Sequence, residues 1–175
     1  MNITVYLGSS EGNDPEFKKR TAELGEWIGR NGHTLVYGGA RWGLMGILAD
    51  HVLEAGGQVI GVIPHFIAER GVIHPGLSRL EYADTMSQRK ARMLELGDAY
   101  IAMPGGPGTL EEIIEAISLS RLGQHTKPCM LYDIHDYYHE LRSVFDKMIQ
   151  CGFLKESDMK HVLFVKDLAM IQEVL

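Results

Sequence analysis

The 175-residue chain has little of what identifies a secreted or membrane-bound protein. It contains only two cysteines, Cys129 and Cys151, and because neither has a Cys or His nearby at ligand spacing, we expect both to be core residues. No apolar run nears the roughly 20 residues that a membrane-spanning helix needs. The first residues already read as a strand rather than as a signal peptide. These absences predict a cytoplasmic protein that has no membrane partner.

Positive charge is also scarce. The chain has 17 Lys and Arg residues against 23 Asp and Glu residues, which gives a formal net charge of −6 at pH 7. Such a surface would on average repel the phosphate backbone of a nucleic acid, so no nucleic-acid partner is expected. An anion that binds here must be met by a local cluster of donors.

Several motifs of catalysis and of metal or phosphate binding are missing as well. There is no GxSxG motif, and no Ser-His-Asp order is legible. His135 and His139 have no third ligand near them in the sequence, so a surface helix is favoured over a metal site and no metal ion is expected. The chain also lacks the Lys-Ser/Thr of a P-loop and the glycine spacing of a dinucleotide-binding fingerprint.

What the sequence does contain is an alternation of strand and helix patterns. Strands are predicted over residues 3–7, 34–37, 58–63, 79–83, 99–103, 128–132 and 161–165. Most are separated by a segment of helical period, which predicts an α/β fold with an open parallel sheet of about seven strands and helices on both faces. With 45% hydrophobic residues the chain can fill one core, so we predict a single domain over residues 1–175.

The helix boundaries are clearest for the first helix, where Asp14 is the predicted N-cap, Pro15 the first helical residue and Asn31-Gly32 the end. Further helices are predicted over residues 43–55, 87–96, 109–122, 136–150 and 167–174. Residues 66–78 have the weakest periodicity and are predicted to form a loop with at most a helical turn.

Glycines cluster where four of the predicted strands end: at Gly8, at Gly38-Gly39, at Gly61 and in the run 105–108. In an open parallel sheet, ligands bind beyond the carboxyl ends of the strands. A single turn of this kind is explained by the short connections of such folds. Four together predict a rim that lets the backbone approach a ligand closely.

The most informative of these turns is the stretch MPGGPGTLEE over residues 103–112, which reads as a strand end, a glycine turn and a helix start near Thr109. The unpaired N–H groups and the partial positive charge of a helix N-terminus bind phosphate. We therefore predict a phosphate site at Gly105, Gly106, Gly108 and Thr109.

Glu112 has two interpretations. Thr109 and Glu112 have the spacing of a capping box, in which each side chain bonds to the backbone N–H of the other residue. Alternatively, a phosphate occupies those N–H groups and Glu112 faces the rest of the ligand. Phosphate binding separates the two interpretations.

The segment TMSQRKARM over residues 85–93 places cations near a helix start. With Thr85 or Ser87 as the cap, Arg89, Lys90 and Arg92 are predicted in the first turn, where the helix dipole disfavours each by about 0.3–1 kcal/mol. Either an anionic ligand compensates, or these residues form a solvated face that pairs with acidic neighbours on the same helix.

Three segments in this order resemble the signatures of the Lonely Guy (LOG) family: YGGARWGLMG over residues 37–46, MSQRK over 86–90 and PGGPGTLEE over 104–112. Members of that family are cytokinin riboside 5′-monophosphate phosphoribohydrolases, often mislabelled as lysine decarboxylases. The resemblance implies a Rossmann-like fold, a homodimer or higher homo-oligomer, no cofactor, and hydrolysis of the N-glycosidic bond of a nucleoside 5′-monophosphate.

The resemblance also implies roles for individual residues. Arg89 and Glu112 take the places of the catalytic pair. The positions expected to contact the substrate are Ser9, Lys90, Gly105, Gly106, Pro107, Gly108, Thr109, Leu110, Glu111 and Ser118.

Two positions depart from the family pattern. Ala40 replaces the third glycine after the second strand, and because its side chain is small we expect the turn to survive. Gly71 stands where many relatives have a substrate-contacting Glu, which leaves the base undecided between adenine and a cytokinin. A non-catalytic carrier of a nucleotide or of the molybdenum cofactor on the same scaffold is the alternative function. A carrier has no need of a carboxylate beside a phosphate, so hydrolysis is favoured.

Overall fold

The computed structural model describes all residues 1–175 and contains one all-parallel, seven-stranded sheet. The strand order is β4-β3-β2-β1-β5-β6-β7. The predicted Rossmann-like open sheet is therefore confirmed, and each strand end lies within one residue of its predicted position. The strands are β1 (Asn2–Tyr6), β2 (Thr34–Tyr37), β3 (Gln58–Pro64), β4 (Arg79–Ala83), β5 (Ala99–Ala102), β6 (Cys129–Tyr132) and β7 (Val162–Val165).

Helices cover both faces of this sheet, as predicted. They are α1 (Pro15–Arg30), α2 (Gly43–Glu54), the short α3 (His65–Ala68), α4 (Met86–Leu96), α5 (Pro107–Arg121), α6 (His139–Gln150) and α7 (Leu168–Val174). One buried cluster joins α1, α2 and α7 to one face of the sheet, and a second joins α4, α5 and α6 to the other face. None of these helices combines the length and the apolar character that crossing a bilayer requires.

The boundaries of α1 follow the sequence signals. The Asp14 carboxylate accepts a hydrogen bond from the N–H of Glu16 at 2.9 Å, Pro15 is the first helical residue and Asn31 is the C-cap. The buried side of the helix faces α2, and at Gly25 a Cβ atom would come within 2.9 Å of the Leu48 carbonyl oxygen. The two helices thus pack at a distance that only glycine permits at this point.

The start of α6 differs from the prediction. A short 3₁₀ turn covers Ile134–Asp136, and α6 begins at His139, three residues later than predicted. His135 and Asp136 have left-handed backbone conformations, so the helix cannot begin at residue 136. The surface helix expected to carry both His135 and His139 is therefore wrong for His135, whose Nδ1 lies 2.7 Å from Oδ2 of Asp14 instead.

The two cysteines have different environments. Cys129 on β6 is buried, as predicted, whereas Cys151 is exposed at the C-cap of α6. The prediction that Cys151 is a core residue is wrong because it follows the last helical turn, beyond the side that packs on the sheet.

The strand order reverses between β1 and β5, which defines the switch point of the sheet. The chain leaves β1 at Gly8 and leaves β5 at Gly105, and the Gly8 N–H donates a hydrogen bond to the Pro104 carbonyl at 3.2 Å. Helices α4 and α5 both begin at this same edge. Ligands of open parallel sheets bind at such a point.

Candidate active site

A cavity of about 590 Å³ opens at this switch point. Three strand-end glycine turns line it, through Gly8 and Ser9, through Gly38, and through residues 106–109. Arg89 and Glu112 are the charged groups in its interior, and Arg70 is the third charged residue of its lining. The remaining wall is mostly apolar and consists of Val5, Tyr6, Leu7, Ala40, Trp42, Met45, Ile63, Pro64, Ile67, Val72, Met86 and Met93.

The glycine turn ends two residues earlier than predicted. Gly106 is the N-cap of α5 and Pro107 is its first residue, a position that proline favours because its missing N–H would have no partner there. The N–H groups of Gly108 and Thr109 lie in the first helical turn, where no upstream carbonyl of the helix can accept them. Both residues line the cavity, so the turn presents donors and a positive helix end to it.

The capping box proposed for Thr109 and Glu112 does not form. Because Pro107 begins the helix, Thr109 is its third residue rather than its cap, and no side chain caps this helix. The Glu112 carboxylate instead accepts a hydrogen bond from Arg89. The interpretation of Glu112 as a capping residue is therefore wrong.

Arg89 and Glu112 form a buried ion pair between α4 and α5. The Arg89 Nη1 donates to Glu112 Oε1, and the Arg89 Nε donates to the Val62 carbonyl at 3.1 Å. The exposed fractions of the two residues are 8% and 9%. No protein donor bonds to the second carboxylate oxygen, Oε2. The pair therefore offers a fixed carboxylate with one oxygen available to a ligand or water.

Arg92, by contrast, behaves as the surface residue of this helix. Thr85 caps α4 by accepting the N–H of Gln88 at 3.1 Å, so the first turn ends at Arg89. Lys90 and Arg92 lie beyond it, which corrects their predicted place in the first turn. Arg92 pairs with Glu81 and Glu95, both at 2.6 Å. The solvated-face interpretation thus holds for Arg92 and is wrong for the buried Arg89.

Burial is the main influence on the Glu112 carboxyl group. It raises the pKa of Glu112 above its ordinary value of 4.5, and the charge of Arg89 opposes this shift. Tyr6 lies in the same cavity, and burial together with the nearby Glu112 charge raises the pKa of its phenol well above 10.0. Near neutral pH the cavity therefore holds a neutral phenol beside a carboxylate whose proton affinity is increased.

The space for the Arg89 guanidinium exists because residue 38 is glycine. A Cβ atom at Gly38 would overlap Arg89 Nη2 and Met45 Cε. We expect Gly38→Ala to displace the guanidinium and to lower kcat/KM at least about tenfold, since small misplacements in an active site are costly. Steady-state kinetics test this, and a thermal melt by circular dichroism checks the fold. Wild-type kcat/KM in the folded variant would contradict it.

Some of the predicted contact residues lie outside the cavity lining. Lys90 pairs with Glu111 at 2.7 Å and with Glu115 at 3.0 Å at the outer side of the α4–α5 contact. Leu110 and Glu111 are exposed. Ser118 is exposed about 9 Å further along the α5 axis than Glu112.

Gly105 lines a second, smaller cavity behind the turn, about 300 Å³ in volume. The predicted site residues that the first cavity brings together are therefore Ser9, Arg89, Gly106, Pro107, Gly108, Thr109 and Glu112.

The loop after α3 forms one wall of the cavity. Gly39 has φ 79° and Ala40 pairs with Ile73, so the turn tolerates Ala40 because the left-handed residue is the glycine before it. Gly71 is exposed with φ 68°, and neither Gly71 nor Glu69 lines the cavity. Arg70 lines it instead, so this loop supplies a cation where many relatives are expected to have a carboxylate.

Sequence reasoning did not identify Tyr6, Trp42, Arg70 and Met86 as parts of the site. Tyr6 and Trp42 were open to detection, since Tyr6 lies two residues before Gly8 and Trp42 lies three residues after Gly39. Arg70 and Met86 carry no such signal, because their place in the lining depends on how the loop after α3 packs beside α4.

Comparisons with known proteins show which family the chain belongs to. Residues 45–175 match the model of a family described as "Possible lysine decarboxylase". A cytokinin riboside 5′-monophosphate phosphoribohydrolase from Rhodococcoides fascians is 43% identical over 168 residues, which are 95% of this chain and 85% of that protein. An enzyme of the same description from Arabidopsis thaliana is 41% identical over 92% of this chain and 75% of that protein.

Solved structures with the same fold include a molybdenum cofactor carrier protein from Chlamydomonas reinhardtii, with a TM-score of 0.73 and 21% identity over 99% of this chain and 96% of that chain. The molybdenum cofactor binding protein from Rippkaea orientalis has a TM-score of 0.72 and 20% identity over the same shares. At these identities the likeness extends to the fold alone. The match to the family model and the 41–43% identity to two phosphoribohydrolases over most of their length show that the chain belongs to the Lonely Guy (LOG) family.

Proposed function

We propose that this protein hydrolyses the N-glycosidic bond of a nucleoside 5′-monophosphate and releases the free base and ribose 5-phosphate. The observation that carries the proposal is the buried Arg89–Glu112 pair, which faces the same cavity as the glycine turn at the start of α5. The turn suits the phosphate end of a ligand, and the Glu112 carboxylate, further along the same helix, suits the other end of the same ligand. The family relationship supports the same activity, since its relatives are named for it.

In this proposal the 5′-phosphate binds at the start of α5. The N–H groups of Gly106, Gly108 and Thr109 and the Thr109 hydroxyl are its donors, and the helix end adds a favourable charge. Ser9, at the end of β1, lines the cavity beside this turn and is a further donor. Anchoring the phosphate fixes how far the sugar reaches toward Glu112, which is one helical turn beyond Thr109.

Glu112 then acts at the anomeric carbon. The C1′–N bond breaks with its electron pair going to the base, and the oxygen of a water molecule bonds to C1′. The carboxylate stabilises the oxocarbenium-like transition state and accepts the proton that the water loses. That proton then passes to the departing base, which leaves as the neutral free base and returns Glu112 to its ionised form. Arg89 holds one carboxylate oxygen and favours the ionised form against the effect of burial, so the free oxygen Oε2 is the one directed at the water. We assign the ribose hydroxyls to Glu111.

The apolar wall forms the base-binding part of the site. Trp42, Ile67 and Met86 present large apolar surfaces there, which suit the face of a purine and an apolar substituent on it. Both AMP and a cytokinin riboside 5′-monophosphate have a purine that fits this apolar wall. Leu110 lies beside the turn, and Lys90 and Ser118 are proposed as outer contacts only.

Two other functions fit the cavity less well. Decarboxylation of lysine proceeds through a pyridoxal phosphate Schiff base on a protein lysine, and no lysine lines the cavity. A passive carrier, whether of a nucleotide or of the molybdenum cofactor, gains nothing from a buried ion pair beside its phosphate site, because burying the pair costs desolvation. The Arg89–Glu112 pair therefore favours hydrolysis over both.

We further propose that the protein acts in the cytoplasm as a homodimer or higher homo-oligomer. Trp42 and Met86 are exposed apolar residues of the cavity lining, and Phe66 and Leu110 are exposed in elements that contribute to it. Apolar surface of this kind at a cavity mouth favours association. Size-exclusion chromatography with light scattering tests this, and a monomeric mass at micromolar concentration would refute it.

The proposed activity is tested by incubating the protein with AMP or with isopentenyladenine riboside 5′-monophosphate, and separating the products by chromatography. We expect free base and ribose 5-phosphate in equal amounts from at least one of the two. Absence of base release from these and from a panel of other purine and pyrimidine monophosphates would favour the carrier.

The pH dependence of hydrolysis should report the environment of Glu112. A protonated carboxyl group cannot accept a proton from water, so activity is lost as the pH falls through the pKa of Glu112. Because burial raises that pKa, we expect the acid limb of kcat/KM to lie above 4.5. A profile measured between about pH 4 and 9 tests this. An acid limb at or below 4.5 would contradict it.

A further inference from the structure

The segment after β6 contains the only non-glycine residues with positive φ in the molecule. His135 has φ 51° and Asp136 has φ 62°. Side chains disfavour this conformation because the Cβ atom approaches the following carbonyl oxygen. Two such residues in succession persist only where the surrounding contacts enforce them, and such positions cluster at functional sites.

Side-chain contacts enforce this conformation from both sides. His135 Nδ1 lies 2.7 Å from Oδ2 of Asp14, the residue that caps α1. Lys166, which follows β7, bonds to Asp136 and donates to Asp133 Oδ2 at 2.7 Å. The segment is thus tied to α1 on one side and to the edge strand on the other.

As a result, two tyrosine hydroxyls of this segment donate hydrogen bonds to carbonyls of the glycine turn. The Tyr137 hydroxyl donates to the Gly105 carbonyl at 2.5 Å, and the Tyr138 hydroxyl donates to the Met103 carbonyl at 2.6 Å. These carbonyls lie on either side of Pro104, where the chain leaves β5. The Tyr138 N–H is in turn held by Asp133 Oδ1 at 2.6 Å.

We propose that residues 133–138, which we call the brace, orient the glycine turn for binding the 5′-phosphate, with Tyr137 and Tyr138 as positioning residues. The inference rests on the proposed function, because it takes this turn as the phosphate site. The physical link is the planar, trans peptide group between Gly105 and Gly106, whose C=O and N–H point in opposite directions. Tyr137 lines the smaller cavity and holds the carbonyl on its own side, which directs the Gly106 N–H away from Tyr137. Gly106 lines both cavities, and in the proposed function this N–H is a phosphate donor in the first.

A purely structural role makes a different prediction. If the hydroxyls only satisfied buried carbonyls, their removal would affect stability, or would weaken all ligands of the cavity alike. If the hydroxyls orient the phosphate turn, their removal lowers the affinity for ligands that carry the phosphate and leaves the affinity for phosphate-free ligands unchanged. The comparison of ribose 5-phosphate with adenosine therefore separates the two roles.

The first test is Tyr137→Phe, which removes one hydroxyl from a partly exposed residue. We expect the Kd for ribose 5-phosphate, measured by calorimetry, and the KM for AMP to rise about tenfold, as for one lost hydrogen bond, with kcat within about twofold of wild type. The Kd for adenosine should not change. Tyr82→Phe is the matched control, since the Tyr82 side chain is exposed and stacks on His65.

The second test separates the backbone from the side chain at His135. Both His135→Gly and His135→Val lose the hydrogen bond with Asp14, but only glycine adopts φ 51° without strain. We expect His135→Val to reproduce the selective loss of ribose 5-phosphate affinity and His135→Gly to keep near wild-type affinity.

Unchanged affinity for ribose 5-phosphate in both Tyr137→Phe and His135→Val would overturn the brace, as would an equal loss for adenosine. The calorimetric measurement needs no turnover. A wild-type protein that binds ribose 5-phosphate and releases no base therefore contradicts the proposed function while the brace is still tested.

Discussion

Glu112→Gln is expected to lower base release from a nucleoside 5′-monophosphate by about 10³-fold, the contribution typical of a general base in this kind of reaction. Glutamine keeps the shape of the side chain and can still accept a hydrogen bond from Arg89. It loses the negative charge that stabilises the oxocarbenium-like transition state and the capacity to take a proton from water. Single-turnover and steady-state release of free base measure the effect.

Binding should survive this substitution. The phosphate donors of the proposed site belong to the backbone of residues 106–109 and do not depend on the carboxylate. The Kd of the nucleotide should therefore remain within about threefold of wild type by calorimetry. Glu95→Gln is the control for the same amide substitution, because Glu95 is exposed on α4 and pairs with Arg92. Normal turnover by Glu112→Gln would refute the catalytic assignment.

Arg89→Ala should also inactivate the enzyme, by about 10²–10³-fold in kcat. The arginine bonds to Glu112 and to the Val62 carbonyl, so its removal frees the carboxylate to rotate and deprives a buried charge of its partner. The unpaired carboxylate then takes up a proton more readily, which removes the active form. Arg89→Lys should recover little activity, because an ammonium cannot reproduce the two directed guanidinium bonds.

Arg92→Ala provides the comparison for this loss. Arg92 lies three residues later on α4 and pairs with Glu81 and Glu95 at the surface. Its removal should leave kcat/KM within about twofold, since exposed ion pairs contribute little. If Arg89→Ala were as active as Arg92→Ala, Arg89 would have no catalytic role.

The fold was predictable because its signals are local and agree with one another. The cap at Asp14, the proline at residue 15 and the end at Asn31-Gly32 all define the same helix, and the strands lie within a residue of their apolar runs. The start of α6 was not predictable. His135 and Asp136 favour no left-handed conformation strongly by themselves, and the side-chain contacts that impose it come from the cap of α1 and from the residue after β7.

At the candidate site, spacing alone did not distinguish Arg89 from Arg92 or a ligand-facing Glu112 from a capping residue. The distinction depends on which side of α4 faces α5, and that follows from packing on the sheet. The resemblance to a family selected Arg89 and Glu112 where the physical pattern left alternatives open. Arg70 and Tyr137 reach the site only because distant parts of the chain pack together. Tyr137, for example, bonds to a carbonyl 32 residues away in sequence.

The most direct measurement is a crystal structure of Glu112→Gln with bound AMP. We expect the phosphate on the N–H groups of residues 106–109 and the side chain at residue 112 within about 3.5 Å of C1′ or of a water molecule beside it. A nucleotide bound in the opposite direction, with its phosphate near Arg70 and its C1′ remote from residue 112, would contradict the proposed mechanism.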